Sequence, residues 1–491
     1  MPIQNPRRGE ATASAADTIL VEIPAHLKRL VAPIESLIES VGQRVAQLGR
    51  DGKAVDYAAI ERLYAELSAA IETAAHQCTL EAAAANEPQR IEIGGAVFTR
   101  VGEGLGNYKT MTGPAPVRRG LFRELGVRNG KTVDLISLRV GAIGDGWLPQ
   151  TARAMAHHLQ SGTSREAEQS ARQDCRLPYS RASFERVPHL VGELWLEHHA
   201  NIEDALIQAF EVPAEAASIS VAIDRASVPM EELVPRPPGR PRKNAPKRSV
   251  RRVFHMCYCA TVTLHDRDGR ALHTLRRGQM PGRDPQDLCN LLANDVLVLR
   301  EKRPDLLLTL LADGAPEMWN LLESNFPVSV FGRLHCCVDF WHVVEKLSAA
   351  AKAIAGDDAA ARAMSWGWRH QLRRRKDAAE SIRDELLASG RAEVVIDGDR
   401  PVHDAITYLS NNAHRMNYAG AITKGLPIGS GNVEATCKTL VGLRMKRCGS
   451  RWHRDTGNHV LHLRALAISD RWDDAMDKLF AKLRTSVRRC A

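Results

Sequence analysis

The amino-acid sequence predicts a multidomain α/β protein. Its central part is a mixed five-stranded sheet, which is covered by helices and interrupted by a helical insertion. Two observations predict this fold class. The chain has 491 residues, which is too long for one ordinary hydrophobic core. Between residues 217 and 340 the apolar pattern gives three strands in succession, followed by alternating helices and strands. That order is typical of a mixed sheet packed against helices.

The residues before the sheet are predicted to be mainly helical and to bind DNA. Residues 1–90 are predicted to form a helical N-terminal region. Residues 1–25 are polar, and residues 26–86 are rich in Ala and Leu at helical spacing, so we expect helices that pair with each other or with a second copy. Residues 91–146 are predicted to form a small strand-containing module. Residues 147–210 predict two short helices joined by a tight turn, as in a helix-turn-helix. Any small helical hairpin has the same pattern, so both interpretations stay open.

Capping residues define these two short helices. Thr163 and Glu166 have the spacing of a capping box, in which each residue satisfies a free backbone N–H of the first helical turn. Ser180 is positioned to begin the second helix, which carries Arg181 and Arg186. If the pair is a helix-turn-helix, these two arginines reach base edges of double-stranded DNA.

Each strand of the predicted sheet has its own signature. Apolar residues alternate from Ser218 to Ile223 and predict a first strand that ends at Asp224. The other strands are predicted at 253–264, 271–276, the apolar run before Asp313, and 333–338. Asp284 followed by Pro285 predicts the start of a helix after the third strand. If the first and fourth strands pair at the sheet centre, Asp224 and Asp313 lie side by side.

A third acidic residue follows the insertion. The region 215–340 is predicted to be the first part of a catalytic core, 341–424 a helical insertion, and 425–491 the last part of that core with basic C-terminal helices. Glu434 begins a helix in this last part. Three carboxylates at element ends can bind two divalent cations, which stabilise the attacking and leaving oxygens of a phosphodiester displacement. Carboxylates suit Mg²⁺ because this ion prefers hard oxygen ligands.

The charge of the chain indicates a polyanionic partner. Its formal net charge is +9, and two segments concentrate the positive charge. Residues 235–252 contain eight basic residues and no acidic residue, and the core Pro238-Gly-Arg resembles a minor-groove AT hook. A merely solvated loop is the alternative for this segment. The basic residues that we expect to contact DNA are Arg240, Arg242, Lys243, Lys247 and Arg248 here, and Lys438, Arg444, Lys446, Arg447 and Arg451 after Glu434.

Other classes of protein are disfavoured by composition. The chain contains no apolar run of about 18 residues, which a membrane span requires. We therefore expect no membrane partner and a cytoplasmic location. The ten cysteines contain no C-x-x-C pair, so buried reduced thiols are favoured over a zinc site.

Several motifs resemble those of the DDE transposases of bacterial insertion sequences, and more narrowly the ISKra type. The motifs are Asp224-Arg-Ala-Ser-Val-Pro-Met, Leu311-Ala-Asp313-Gly, Asp339-Phe-Trp-His342, Gly429-Ser-Gly-Asn-Val-Glu434 and Arg444-Met-Lys-Arg-Cys-Gly-Ser-Arg-Trp452. The resemblance covers roughly residues 91–475 and is most specific from Glu434 to Trp452. It implies a ribonuclease-H-like catalytic core and cut-and-join chemistry at the terminal inverted repeats of a mobile element and at target DNA.

The resemblance also implies roles for individual residues. Asp224, Asp313 and Glu434 match the catalytic, metal-binding triad, with Mg²⁺ as the cofactor and Mn²⁺ as the alternative. Asp339 and His342 match an Asp-x-x-His signature. One interpretation places His342 near the scissile phosphate or a metal-bound water, and the other has Asp339 capping a helix with His342 as a buried polar group. We expect a homodimer or larger assembly on DNA.

Two further functions are compatible with the same residues. A stand-alone nuclease of this fold would cut DNA without joining it, and no residue in the sequence separates it from a transposase. A domesticated DNA-binding protein would keep the scaffold without the chemistry. The intact set of three carboxylates argues against this last alternative, because a site that no longer binds metal has no physical need for them.

Overall fold

The computed structural model describes residues 21–48, 54–85, 87–235, 239 and 248–490. The chain divides into two compact units. The first unit comprises Met1–Leu148, Arg172–Pro178 and Thr485–Ala491, and the second comprises Pro149–Ala171 and Tyr179–Arg484. In the part of the chain that is described, no helix is both long enough and apolar enough to cross a membrane.

The first unit combines two long helices with a four-stranded antiparallel sheet. A 3₁₀ turn at Ala25–Leu30 leads into the helices, which are α1 (Val31–Leu48) and α2 (Tyr57–Ala85). The remaining elements are β1 (Arg90–Ile93), β2 (Ala96–Thr110), β3 (Gly113–Glu124), the short helix α3 (Leu135–Val140) and β9 (Arg488–Arg489). The strand order is β3-β2-β1-β9. Three glycines, Gly102, Gly104 and Gly106, lie inside β2 and not in a loop.

The second unit contains the mixed five-stranded sheet that the sequence predicts. Its strands are β4 (Ser218–Leu233), β5 (Val250–His265), β6 (Ala271–Gln279), β7 (Leu307–Ala312) and β8 (Leu334–Val338), in the order β6-β5-β4-β7-β8. β4, β5 and β6 pair antiparallel, and β4, β7 and β8 pair parallel. The predicted pairing of the first and fourth strands at the sheet centre is therefore confirmed.

The first two strands are longer than predicted. β4 does not end at Asp224, because its antiparallel pairing with β5 continues from Asp224 to Leu233. The parallel pairing of β4 with β7 stops at Ala222. Asp224 therefore lies where the central parallel sheet ends and a two-stranded antiparallel arm begins. The basic connection joins the two strands of this arm, and most of it, including Arg240, Arg242, Lys243 and Lys247, lies outside the described residues.

Two helix starts in the second unit confirm their capping predictions. Before α5 (Ser164–Gln173), the carboxylate of Glu166 accepts a hydrogen bond from the backbone N–H of Thr163, and the Thr163 hydroxyl accepts one from the N–H of Glu166. Before α7 (Pro285–Lys302), the Asp284 side chain accepts from the N–H of Gln286. Both caps satisfy N–H groups that have no intrahelical partner.

The prediction of a short second helix near Ser180 is wrong. Helix α6 (Arg181–Ala209) has 29 residues and contains Pro188. Its length follows from a buried apolar face that continues through Phe184, Val191, Trp195 and Leu206. Two helices come before it in the second unit, α4 (Pro149–Ser161) and then α5.

The remaining helices surround the sheet and form the insertion. Between β7 and β8 lie α8 (Pro316–Asn325) and α9 (Val328–Phe331). The insertion is helical as predicted, and consists of α10 (Phe340–Ile354), α11 (Asp358–Arg374), α12 (Ala378–Ala388), α13 (Pro401–Asn412), a 3₁₀ turn at Ala413–Arg415 and α14 (Tyr418–Thr423). The insertion is followed by α15 (Gly431–Thr436), a π-helix at Cys437–Gly442, α16 (Leu443–Met445), α17 (Arg454–Ala467) and α18 (Trp472–Leu483). One continuous hydrophobic core joins the sheet to the insertion.

Candidate active site

Three aspartates follow the ends of the parallel pairing at one edge of the sheet. Ala222 of β4 pairs with Leu311 of β7, and Ala312 of β7 pairs with Val338 of β8. Two residues further on β4 is Asp224, and the residues that follow β7 and β8 are Asp313 and Asp339. Parallel strands keep a constant register, so the three residues stand at the same level of neighbouring strands.

Asp224 and Asp313 are only partly buried and make few contacts. One carboxylate oxygen of Asp313 accepts from the N–H of Ala315 at 3.0 Å, and no described protein group hydrogen-bonds to the other. In Asp224, Oδ1 accepts from the N–H of Arg225 at 2.6 Å, and Oδ2 lies 3.4 Å from the thiol of Cys437. Both side chains therefore have acceptor capacity left over, as a cation ligand needs.

Asp339 differs, because its carboxylate is completely buried and saturated with hydrogen bonds. Oδ1 accepts from the N–H groups of Trp341 (2.7 Å) and His342 (2.9 Å), and so caps α10. Oδ2 accepts from the N–H and the hydroxyl of Ser430. Burial alone would raise the pKa of Asp339, but the hydrogen bonds from His342 and Ser430 lower it to about 2. Of the two interpretations from sequence, helix capping describes this aspartate.

His342 is half-exposed and lies next to Asp339. Its Nδ1 is 3.2 Å from Oδ1 of Asp339, an ion-pair distance. The Asp339 carboxylate raises the pKa of His342 to about 9, against the opposing effect of partial burial, and the charges of Glu434 and Glu345 act in the same direction as Asp339. The imidazole therefore carries a positive charge at neutral pH. Because the side chain is 41% exposed, His342 is not the buried polar group of the second interpretation.

Glu434 reaches the same edge from the other side of the insertion. It lies in the first turn of α15, and its backbone N–H donates to the carbonyl of Ser430 at 3.2 Å. Since the Ser430 side chain is held by Asp339, this aspartate fixes the start of the helix that carries Glu434. Ligand atoms of Asp339, His342 and Glu434 all lie within 4.8 Å of one another.

The structure groups the carboxylates differently from the prediction. Among the described residues, no group of three or more His, Cys, Asp or Glu side chains with ligand atoms within 4.8 Å of one another contains Asp224 or Asp313. Glu434 is instead close to Asp339 and His342, because the Asp339–Ser430 hydrogen bonds draw its helix toward β8. Asp224, Asp313 and Glu434 share one edge of the sheet without closing around a single point.

Two residues near this edge were not predicted from sequence. Cys437, one turn after Glu434, brings its thiol to Asp224 and is the first residue of the π-helix. Short π-helical segments are frequent at functional sites. Tyr408 of the insertion has its hydroxyl beside Gly314, and burial together with the charges of Asp313 and Asp339 raises its pKa. No local sequence signal links Tyr408 to residues about a hundred positions away.

The residues predicted to bind DNA fall into several environments. Lys438, Lys446 and Arg451 are exposed, as predicted for phosphate contacts. Arg447 forms an ion pair with Glu166. Arg181 and Arg186 are exposed at the start of α6, where Arg181 donates to the hydroxyl of Ser164. Arg248 is at the end of the basic connection and donates to the carbonyl of Val234.

The assignment of Arg444 to the DNA surface is wrong. Its exposed fraction is 4%, and its guanidinium donates two hydrogen bonds to the carbonyl of Leu159. The guanidinium also lies 5.0 Å from the ring centroid of Trp452. Burial lowers the pKa of Arg444 to about 10. Arg444 is four residues after the buried Leu440, so it belongs to the apolar stripe of the helix and faces inward.

Comparisons with known proteins do not establish a family. No family profile and no curated protein matches the sequence. Among solved structures, the chain is similar to the Drosophila P element transposase strand transfer complex, with 13% sequence identity and a TM-score of 0.25 over 68% of this chain and 79% of that chain. A TM-score this low does not demonstrate a shared fold, so the family stays a prediction from the sequence motifs.

Proposed function

We propose that this protein is a DDE transposase of an insertion sequence, with a ribonuclease-H-like core that cuts DNA at the element's ends and joins it to target DNA. The observation that carries the proposal is the edge of the sheet, where Asp224, Asp313 and Glu434 present partly exposed carboxylates with free acceptor capacity. A side chain that binds a cation needs oxygen lone pairs that protein donors leave unoccupied, and Asp224 and Asp313 keep them.

The donor set fits a hard divalent cation. Asp224, Asp313 and Glu434 would hold Mg²⁺, or Mn²⁺ as the alternative, since each offers carboxylate oxygen and none is saturated by protein donors. When bound, such ions stabilise charge on the attacking and leaving oxygens of a phosphodiester. Asp339 is not part of this set, because both of its oxygens already accept two hydrogen bonds. It acts as a positioning residue for Glu434.

The surrounding cations suit a DNA substrate. His342 stands at the carboxylate edge beside Glu434, where it can donate a hydrogen bond to a phosphate oxygen of the strand being cut. Lys438, Lys446 and Arg451 extend the positive surface along the chain after Glu434. Phosphate contacts of this kind fix the register of the DNA without reading its sequence. The partner is double-stranded DNA, and two ends of one element require a homodimer or a larger assembly.

The experiment is a DNA cleavage and joining assay with single carboxylate variants. The substrate is a plasmid carrying the inverted repeats that flank the gene, with Mg²⁺ supplied. Asp224→Asn, Asp313→Asn and Glu434→Gln should each abolish cleavage and leave end binding intact. Glu301→Gln is the matched control, because Glu301 is exposed on α7, away from the carboxylate edge.

Each outcome of this assay separates the candidate functions. Cleavage and joining by the wild type, with loss in all three variants, supports the transposase. Cleavage without joining would replace it with a stand-alone nuclease. End binding without cleavage in the wild type, at any divalent cation tested, would point to a DNA-binding protein that has lost its chemistry.

A further inference from the structure

Two exposed tryptophans lie on the insertion, and one of them, Trp341, is beside the candidate active site. The exposed fractions of Trp341 and Trp366 are 50% and 62%. Trp341 is the second residue of α10, and its ring packs against Gly429, where an added Cβ would meet Cδ1 of Trp341 at 3.4 Å. Tryptophan is usually largely buried. Two exposed indoles near a functional edge therefore suggest a surface that binds a partner.

A cation connects the two rings. The guanidinium of Arg369 lies 4.7 Å from the ring centroid of Trp341. Arg369 is three residues after Trp366, so both occupy the same side of α11. On that helix Trp366 also packs on His370, with ring centroids 3.9 Å apart. The aromatic surface thus runs from the turn beside Asp339 onto the insertion.

One stripe of α11 carries three arginines and one exposed tryptophan. Arg362, Trp366, Arg369 and Arg373 follow one another at spacings of four, three and four residues, which is one stripe of a helix. The opposite face holds the buried Trp368, whose Nε1 donates to Glu385 at 2.9 Å. The two tryptophans of this helix are therefore not equivalent, and only Trp366 is free to meet a ligand.

A cleft between α10 and α11 accompanies this stripe. Its volume is about 600 Å³. The charged side chains that line it within the described part of the chain are Lys352, Arg362, Arg369 and Asp358, so positive charge outnumbers negative charge three to one. A cleft with cationic walls and an indole at its mouth combines a phosphate contact with a flat apolar face.

This combination selects unpaired nucleotides over duplex DNA. Stacking on an indole needs the face of a base, and in a duplex the base faces are covered by neighbouring bases. Single strands expose those faces, and proteins bind them with aromatic side chains set in a cationic groove. We propose that Trp341, Trp366 and the arginine stripe of α11 form a binding surface for an unpaired segment of the DNA strand at the carboxylate edge.

The inference rests on the proposed function for the source of the strand, which is the DNA being cut. Binding of a single strand to this surface does not itself require cleavage. The two ideas can therefore fail separately, provided that binding is measured without divalent cations.

The test uses the full-length protein, EDTA, and fluorescence anisotropy of a short labelled oligo-dT and of a length-matched duplex. Trp366→Leu should weaken binding of the single strand about five-fold or more, the value of one lost base stack. Trp366→Phe should keep most of the affinity, because a phenyl ring still stacks. Leu387→Ala, an exposed apolar position on α12, is the matched control. Duplex binding should not change in any of the three.

An oligonucleotide with an abasic site tests the stacking directly. The wild type should lose affinity for oligo-dT when abasic sites replace its bases. This loss should be smaller in Trp366→Leu, in which only Trp341 remains to stack on a base. Equal losses by Trp366→Leu on oligo-dT, the abasic strand and the duplex would overturn the proposal. So would unchanged binding of oligo-dT by both Trp366→Leu and Trp341→Leu.

A substitution of Arg369 tests the same surface while both tryptophan rings stay in place. Arg369→Gln should lower the slope of log affinity against log salt by about 0.7 on single strands, the value of one phosphate contact. An unchanged slope would remove Arg369 from the surface. Binding in EDTA does not require cleavage, so loss of cleavage in the carboxylate variants does not bear on this inference.

Discussion

Two clusters of charged residues in the second unit differ in how deeply their carboxylates are buried and in how many protein donors they have. In the first cluster Glu203 of α6 and Asp295 of α7 share the guanidinium of Arg277, and Arg471 also contacts Glu203. All four side chains are buried. In the second cluster, at the sheet edge, Asp224, Asp313 and Glu434 are partly exposed and have few protein donors.

The difference shows what each cluster contributes. A buried charge is tolerated only when it is paired and hydrogen-bonded, and the first cluster meets that condition. Burial would raise the pKa of Glu203, but the charges of Arg277 and Arg471 outweigh it and lower the pKa to about 2. The carboxylates at the sheet edge gain little stability from the protein and keep their oxygens available. Asp339 lies at the edge but has the saturated environment of the buried cluster.

The largest expected effect is on activity at the sheet edge. Asp313→Asn should lower the rate of DNA cleavage roughly a thousand-fold, because a divalent cation supplies several kcal/mol of transition-state stabilisation. The melting temperature should hardly move, since the described protein groups give Asp313 a single hydrogen bond to its side chain. A cleavage assay checks the rate, and calorimetry of the same variant checks the melting temperature. A large fall in melting temperature would show that this carboxylate is structural.

In the buried cluster a carboxylate substitution should lower stability and leave the cleavage rate nearly unchanged. Glu203→Gln should lower the free energy of unfolding by about 3–5 kcal/mol, because it leaves Arg277 and Arg471 short of negative charge in the core. The cleavage rate per folded molecule should stay near that of the wild type. Denaturant unfolding gives the first quantity, and cleavage at a temperature where the variant remains folded gives the second. A stable but inactive Glu203→Gln protein would contradict the contrast drawn here.

Substitution of Asp339 should lower both the stability and the cleavage rate, each by an amount between those of the two preceding predictions. Its pKa is about 2 in the folded protein against an ordinary value of 3.8, so ionisation of Asp339 contributes roughly 2 kcal/mol to stability. This contribution is complete above pH 3.8 and is lost as the pH falls through about 2. Asp339→Ala should remove it at neutral pH and should also lower cleavage by displacing Glu434.

The pH dependence of unfolding measures the Asp339 contribution. The wild type should be more stable than Asp339→Ala at neutral pH, and the difference should shrink as the pH falls from 3.8 toward 2. A difference that did not depend on pH in this window would show that packing, and not the charge, accounts for the loss.

The smallest expected effects concern the basic surface after Glu434. Lys446→Ser and Arg451→Ser should each lower the slope of log affinity for duplex DNA against log salt by about 0.9, the value of one phosphate contact. Arg444→Met should leave that slope unchanged, because Arg444 is buried under Trp452. Salt titrations of duplex binding check this. A reduced slope in Arg444→Met would restore Arg444 to the DNA surface.

Local patterns in the sequence were enough for most of the secondary structure. The strand alternation before Asp224, the caps at Thr163 and Asp284, and the helical insertion after Asp339 all depend on neighbours within a few residues. Where local reasoning was wrong, longer contacts decided the outcome. β4 continues past Asp224 because β5 stays paired with it, and α6 is long because its apolar face remains covered by the core.

For the site, the sequence by itself determined which residue types stand at the strand ends and that carboxylates occupy them. Only the tertiary structure decided which of these carboxylates keep an oxygen that no protein donor occupies. The Asp339 carboxylate is saturated because Ser430, 91 residues away, donates two hydrogen bonds to it. The second oxygen of Asp313 remains available because no described residue donates a hydrogen bond to it. The availability of a carboxylate depends on the donors that folding brings to it, and residues far apart in the chain supply those donors.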